Sequence, residues 1–213
     1  MILNQPSQVQ KMHVKGFTIY PGYLDREMQV ELVAELRKTI RNAPFFKPTM
    51  PGTGKPFSVE MTSAGPLGWV SDKHDGYRYQ DTHPVTKKPW PAIPDMLLSI
   101  WREVAHYEKL PECCLINLYR GPKARMGLHR DEDEEDLAAP VVSISLGDTA
   151  IFRMGGLNRG DPTSSIKLGS GDIVTFGGTA RLNYHGIDRI IQHSSRLLEQ
   201  GGRINLTLRR VRP

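Results

Sequence analysis

Arg203-Ile204-Asn205-Leu206-Thr207-Leu208-Arg209 alternates polar and apolar residues without a break, the period of a β-strand with two different faces. Residues 203, 205 and 209 leave one side of such a strand, toward a barrel interior if 204, 206 and 208 pack outward. An inward arginine requires an anion, because a buried guanidinium without a partner is costly. Its planar fork suits the carboxylate of a small diacid through paired charge-assisted hydrogen bonds. Six residues of strand span roughly 20 Å, so Arg203 and Arg209 reach one small diacid only if their side chains lean inward or the strand bends. Taken alone, the segment also fits a solvated edge strand carrying scattered arginines.

Working outward, residues 115–119, 141–146, 150–154, 165–168, 173–176 and 204–208 are short and rich in β-branched side chains, with Gly, Asp and Asn between them, a strand-and-turn pattern. Many short strands at near-regular spacing predict a β-sandwich or jelly-roll barrel. The N-terminal region differs. Met28, Leu32, Val33, Leu36 and Ile40 fall on one helical face and Asp25 stands where an N-cap belongs, which predicts a helix over 26–42. A second helix is expected after Pro94, burying Leu97, Trp101 and Val104, and the Pro/Gly/Thr-rich residues 44–56 read as a loop.

His129 and Asp131 are one residue apart, so on an extended backbone both side chains leave the same face and can reach one ion. A non-haem Fe(II) oxygenase site needs two imidazoles and one carboxylate on one octahedral face. An H-x-D pair alone also fits a surface histidine leading into an acidic loop. The downstream His185, in Asn183-Tyr184-His185-Gly186, followed by the Arg203–Arg209 segment, makes order and spacing converge on a metal site.

Asn117-Leu118-Tyr119, His129-Arg130-Asp131, Asn183-Tyr184-His185-Gly186 and Arg203-x-Asn205-x-Thr207-x-Arg209, in that order, resemble the AlkB family of nucleic-acid dealkylating dioxygenases. The likeness takes in Leu67-Gly68-Trp69, Lys88-Pro89-Trp90-Pro91 and residues 147–178, and covers roughly residues 55–211. The resemblance implies a mainly β, α+β fold: a double-stranded β-helix core with N-terminal helices and a nucleotide-recognition lid. It implies iron on His129, Asp131 and His185. Arg203, with Tyr119, would hold the distal carboxylate of 2-oxoglutarate, and Asn117, Asn205 and Arg209 would complete the pocket near the metal. The implied reaction couples decarboxylation of 2-oxoglutarate, with O₂, to hydroxylation of an N-alkyl carbon, which then leaves as formaldehyde: direct-reversal DNA repair. A base inside a duplex cannot reach such a pocket, so the target is single-stranded or flipped out.

Substrate handling is expected in the lid. Trp69 is the candidate for stacking on the base, with Tyr77 beside it, and Asp133 would face the same cavity if the strand continued, complementing the positive charge of a 1-methyladenine or 3-methylcytosine. Asp133 also fits a solvated place in the acidic run 131–136. Arg159 is a candidate for a phosphate or the substrate edge, or a solvated turn arginine. His13, His74, His83, His106 and His193 have no partner at metal spacing, and Trp90 and Trp101 read as packing residues.

The 213 residues suffice for one domain with its own core, here divided into an extension and lid over about 1–90 and a helix plus jelly roll over about 91–213. The net charge of +5 is compatible with a polyanionic partner, and the expected partners are alkylated DNA and, as a second candidate, RNA. No apolar run approaches membrane length, and Met1 to Pro6 lack a secretory leader. Cys113 and Cys114 are adjacent, where ordinary disulfide geometry is hard to reach. A soluble, cytoplasmic monomer is expected. The alternatives are a same-fold oxygenase acting on tRNA, a protein or a small molecule, and a nucleic-acid-binding barrel without catalysis.

Overall fold

Arg203–Arg209 is an interior strand of a seven-stranded sheet in a computed structural model that describes residues 11–213. The reading of Met1 to Pro6 concerns residues outside that range. In chain order the strands begin with β1 (Met12–Val14), β2 (Phe17–Tyr20), β3 (Glu60–Ala64), β4 (Gly68–Asp72), β5 (Gly76–Gln80), β6 (Cys113–Tyr119) and β7 (Met126–His129). They continue with β8 (Val141–Gly147), β9 (Thr149–Met154), β10 (Ser164–Leu168), β11 (Ile173–Phe176), β12 (His185–Ile191) and β13 (Arg203–Arg209). Among the described residues, the helices α1 (Arg26–Asn42) and α2 (Asp95–Val104) and a 3-10 turn at Gly178–Ala180 complete the regular structure.

The large sheet runs β1-β2-β11-β8-β13-β6-β3, a second sheet runs β10-β9-β12-β7, and β4 and β5 form a separate hairpin. From β6 to β13 the chain passes back and forth between the two sheets, with only the β9–β10 hairpin staying in one, as in a jelly roll of the double-stranded β-helix type. The extension of about residues 1–90 is not separate from this core, because β1, β2 and β3 all lie in the large sheet.

The alternation in β13 determines which side chains go where. Ile204, Leu206 and Leu208 leave the outer face and pack with Ile116 and Ile144 beneath Leu32 and Leu36 of α1 and Leu97 and Trp101 of α2. Outward here means under the helices rather than into water, so every residue of β13 is buried. Between the sheets a second cluster gathers Phe17, Leu115, Phe152, Phe176 and Ile187. Its aromatic side walls leave the polar positions of β13 and β6 facing a cavity.

Helix α1 starts where expected: the Asp25 carboxylate accepts from the Met28 backbone N–H at 2.9 Å, satisfying an otherwise unpaired first-turn donor. Its buried stripe is turned slightly from the apolar pattern, because Gln29 is buried and Met28 and Ile40 only partly so. The Gln29 amide donates to the Leu24 carbonyl at 2.8 Å and accepts from the Ser170 hydroxyl at 2.7 Å, so a polar residue is fully satisfied there. Trp90 and Trp101 are packing residues, each donating its indole N–H to a backbone carbonyl, of Gln80 and Lys109 respectively.

Cys113 and Cys114 are free thiols on opposite faces of β6, one in each cluster. Burial pushes the Cys113 thiol up to about 11 and raises that of Cys114 well above its ordinary value. Neither cysteine should react with Ellman's reagent at pH 8 in the native protein, and both should react in denaturant, because the thiolate is the nucleophile. Rapid native labelling would contradict this packing.

Candidate active site

The strands β7 and β12 run antiparallel with His185 opposite His129, so the two imidazoles stand on one face with ring centroids 4.6 Å apart. Each ring is oriented through its far nitrogen: Nδ1 of His129 lies 2.9 Å from the Gly127 carbonyl and Nδ1 of His185 lies 3.0 Å from that of Asn183. With Nδ1–H donating to these carbonyls, Nε2 keeps its lone pair for a metal. Asp131 completes the set at 3.6 Å from His129 Nε2 and 3.8 Å from His185 Nε2, all ligand atoms lying within 4.8 Å of one another. Among the described residues this is the metal-capable cluster, and none of the other five histidines belongs to it.

The premise of a continuous strand does not hold. β7 stops at His129, and Asp131 sits in the non-strand span that follows. What places its carboxylate is Arg209, whose Nη2 lies 2.9 Å from Asp131 Oδ1. Burial disfavours the Asp131 anion, but Arg209 and then the two histidines outweigh it and hold the group down at about 2. Burial, reinforced by the neighbouring His129, lowers His185 to about 4. A carboxylate and a neutral imidazole are the protonation states a metal ligand needs.

At the other end of the cavity Arg203 is 1% exposed, with its guanidinium 5.5 Å from the centre of the Tyr119 ring. The β13–β6 register places Arg203 opposite Tyr119 and Asn205 opposite Asn117. Arg203 donates from Nη2 to the Ser145 hydroxyl at 2.8 Å, while its Nε and Nη1, and Oδ1 of Asn117, are buried with no hydrogen-bond partner among the described residues. Unsatisfied donors on a buried cation fit an anionic carboxylate from a small co-substrate. Asn205 is engaged differently: its amide donates to Ser143 Oγ at 2.7 Å and the Ile144 carbonyl at 3.1 Å, which ties β13 to β8. The two arginines therefore need not share one ligand, since Arg209 is paired with Asp131 at the metal end.

A cavity of about 310 Å³ joins these groups and continues outward past Trp69, Tyr77, Asp133 and Arg159. Trp69 in β4 and Tyr77 in β5 stack with ring centroids 5.4 Å apart and planes 27° apart. The Trp69 indole N–H donates to Asp133 Oδ2 at 2.8 Å, so Asp133 reaches the cavity from a loop rather than from the strand expected. Tyr77 and Arg159 are exposed at the rim, and Arg159 lies 5.9 Å over the Tyr184 ring.

Three residues at this site carry no signal in the sequence. Glu134 has no exposed side-chain surface and bridges Arg209 Nη1 at 3.2 Å and Arg181 Nη2 at 2.9 Å, while Tyr79 of the lid hairpin donates its phenol to Glu134 and accepts from Arg209. Glu134 lies in an acidic run that reads as solvated, and nothing local distinguishes Arg181 from other arginines.

Fold and triad together define a 2-oxoglutarate- and Fe(II)-dependent dioxygenase, and residues 16–209 match the 2OG-Fe(II) oxygenase superfamily. An "Alpha-ketoglutarate-dependent dioxygenase AlkB homolog" of Caulobacter vibrioides is 53% identical over 199 residues, 93% of this chain and 89% of the relative. The solved structure of OsALKBH1 superposes with a TM-score of 0.78 at 30% identity, covering 94% of this chain and all of the other. A "DNA N(6)-methyladenine demethylase ALKBH1D" of Arabidopsis thaliana is 40% identical across 95% of this chain and 51% of its own length. The chain belongs to the AlkB family.

Gly186 has a structural duty at this centre. A Cβ there would stand 2.6 Å from the Met126 carbonyl and 2.7 Å from that of Gly127, both main-chain atoms of β7 that cannot rotate away. Gly186→Ala should spread β7 from β12 and weaken Mn(II) binding by about tenfold or more, on the scale of lost ligand orientation. Unchanged affinity in a metal titration would show that the strand spacing is not critical.

Proposed function

We propose that this protein removes alkyl groups oxidatively from N-alkylated nucleobases of the 1-methyladenine and 3-methylcytosine type in DNA, with RNA as a further substrate. The observation that carries the reading is a single cavity lined both by the triad and buried Arg203 and by an aromatic pair with a carboxylate, Trp69, Tyr77 and Asp133. A flat apolar wall binds any base by stacking. A cationic alkylated base gains further from the aromatic face and from Asp133. Membership of the AlkB family supports oxidative dealkylation, and the Arabidopsis relative is named for demethylation of DNA at a different base position, N6-methyladenine.

Bound Fe(II) and 2-oxoglutarate supply, with O₂, the oxidation that converts the N-alkyl carbon to a hydroxyalkyl group as 2-oxoglutarate becomes succinate and CO₂. The chain's own part is placement. His129, Asp131 and His185 hold the metal. Arg203, with Tyr119 and Asn117 beside it, takes the distal carboxylate of 2-oxoglutarate, and Asn205 keeps β13 in register while Arg209 fixes Asp131. Trp69 stacks on the base, Asp133 faces its cationic edge, and Tyr77 and Arg159 contact the flanking backbone at the rim. A base enters singly, from a single strand or flipped from a duplex. The hydroxyalkyl product then releases an aldehyde without further help from the protein, formaldehyde in the methyl case.

Anaerobic loading with Fe(II) and 2-oxoglutarate, then oxygen exposure over methylated oligonucleotides of DNA and RNA, should release formaldehyde. His129→Ala and Asp131→Ala should abolish the release, and retained turnover would remove the iron assignment. Trp69→Ala should raise KM for the oligonucleotide about 5- to 150-fold, the worth of one base stack, while leaving the affinity for 2-oxoglutarate in place. Equal loss of both would count against the stacking role, and a wholly inactive panel against the substrate class.

A further inference from the structure

We infer that Arg181 is a positioning residue that sets the distance between the two chain segments bearing the iron ligands. The inference rests on the metal-site reading above but concerns a side chain that touches neither cofactor nor substrate, because Arg181 does not line the cavity. It follows the 3-10 turn at Gly178–Ala180 and lies four residues before His185 in the chain. Its guanidinium crosses to the other ligand segment, and the residue is 3% exposed. There Nη1 donates to the Asp131 carbonyl at 2.5 Å, Nη2 to Glu134 Oε2 at 2.9 Å and Nε to the Ala139 carbonyl at 2.9 Å.

Those acceptors sit at the start, the middle and the end of residues 131–139, a span with no strand to hold it. Its far side is fixed by Glu135 and Asp136 N–H donating to the Val211 carbonyl at 2.9 and 3.1 Å. The near side, where Asp131 must face His185, is fixed by Arg181. The planar guanidinium spreads its donors over three nitrogens in a fixed geometry and so reaches three separated acceptors at once, whereas the three N–H of an ammonium radiate from one nitrogen on a flexible stem. Ligand sets tolerate displacements of only about 0.5 Å before function suffers; Arg209 directs the Asp131 carboxylate, whereas Arg181 holds the main chain that carries it. His185 is steadied on the same segment, since the Asn183 carbonyl accepts from its ring and the Asn183 side-chain amide donates to the Lys15 carbonyl at 3.1 Å.

The test is Mn(II) titration of the metal-free protein, with free Mn(II) followed by electron paramagnetic resonance, for the wild type, Arg181→Lys and Arg181→Met. The expected order is tightest binding in the wild type, weaker in Arg181→Lys, which keeps a charge opposite Glu134, and weakest in Arg181→Met. The last should lose about 10- to 100-fold, the usual range for groups that orient metal ligands. A wild type that fails to bind Mn(II) would overturn the metal-site reading itself. Variants that bind like the wild type, even if less stable to urea, would overturn the positioning role and leave Arg181 as a structural residue. Should both variants fail to fold, hydrogen exchange on the wild type decides: Mn(II) should slow exchange in residues 131–139 and 178–183 together. Protection confined to β7 and β12 would count against the inference.

Discussion

The Arg209–Asp131 contact is the interaction on which the site depends. It places one end of a fully buried guanidinium against a carboxylate that no strand holds, at a point where two sheets and the lid hairpin meet. Burying either charge alone would cost several kcal/mol, and Arg209 meets that cost by facing Asp131 and Glu134 at once, with Arg181 closing the set from the far side of Glu134. Four charges in alternation make a neutral cluster, and each member is oriented by another. The arrangement gives Asp131 a fixed direction while leaving its other oxygen, Oδ2, turned toward His185.

That cluster also explains why the acidic run 131–136 does not behave as a solvated patch. Asp131, Glu134 and Asp136 are buried, and the partner of Asp136 is the phenol of Tyr107 at 2.7 Å. Asp133 holds the Trp69 indole. Glu132 and Glu135 are exposed, as is Asp133 at the cavity mouth. One short loop thus carries the metal carboxylate, the carboxylate at the cavity mouth and two anchors, and both strands of the lid hairpin are tied to it, β4 through Trp69 and β5 through Tyr79.

Much of this was legible in the sequence because it rests on periodicity or on local chemistry. The alternation in Arg203–Arg209, the capped stripe of α1 and the short strands from Cys113 onward are local patterns, and each forms where the pattern places it. The triad and the lining of the 2-oxoglutarate end were readable from motif order and the likeness to the AlkB family. The strands β1 to β5, β7 and β12 were not: β3 and β4 are buried but short and carry small or polar residues such as Thr62, Ser63 and Ser71, and β5 is polar and only partly buried, so none of these three shows the β-branched alternation of the later strands. Nor was the route of Asp131 and Asp133 into the cavity. The strand argument predicted it from spacing, whereas the chain achieves it after the strand has ended, through partners about 50 to 80 residues away.

Placing a metal carboxylate on a loop has a physical consequence for the fold as a whole. A strand residue inherits its position from backbone pairing, as His129 on the edge strand β7 does from β12 and His185 does from β7 and β9. Asp131 inherits its position from side-chain charges, whose strength depends on the exclusion of water by the lid and by the clusters on either side of the large sheet. The metal end of the cavity therefore depends on the docking of β4 and β5 in a way that the Arg203 end does not, because Arg203 is held within the sheet by Ser145 and Tyr119. The two ends of one cavity are built on different principles: the co-substrate end on strand register, and the metal end on a charge cluster that the lid helps to keep dry.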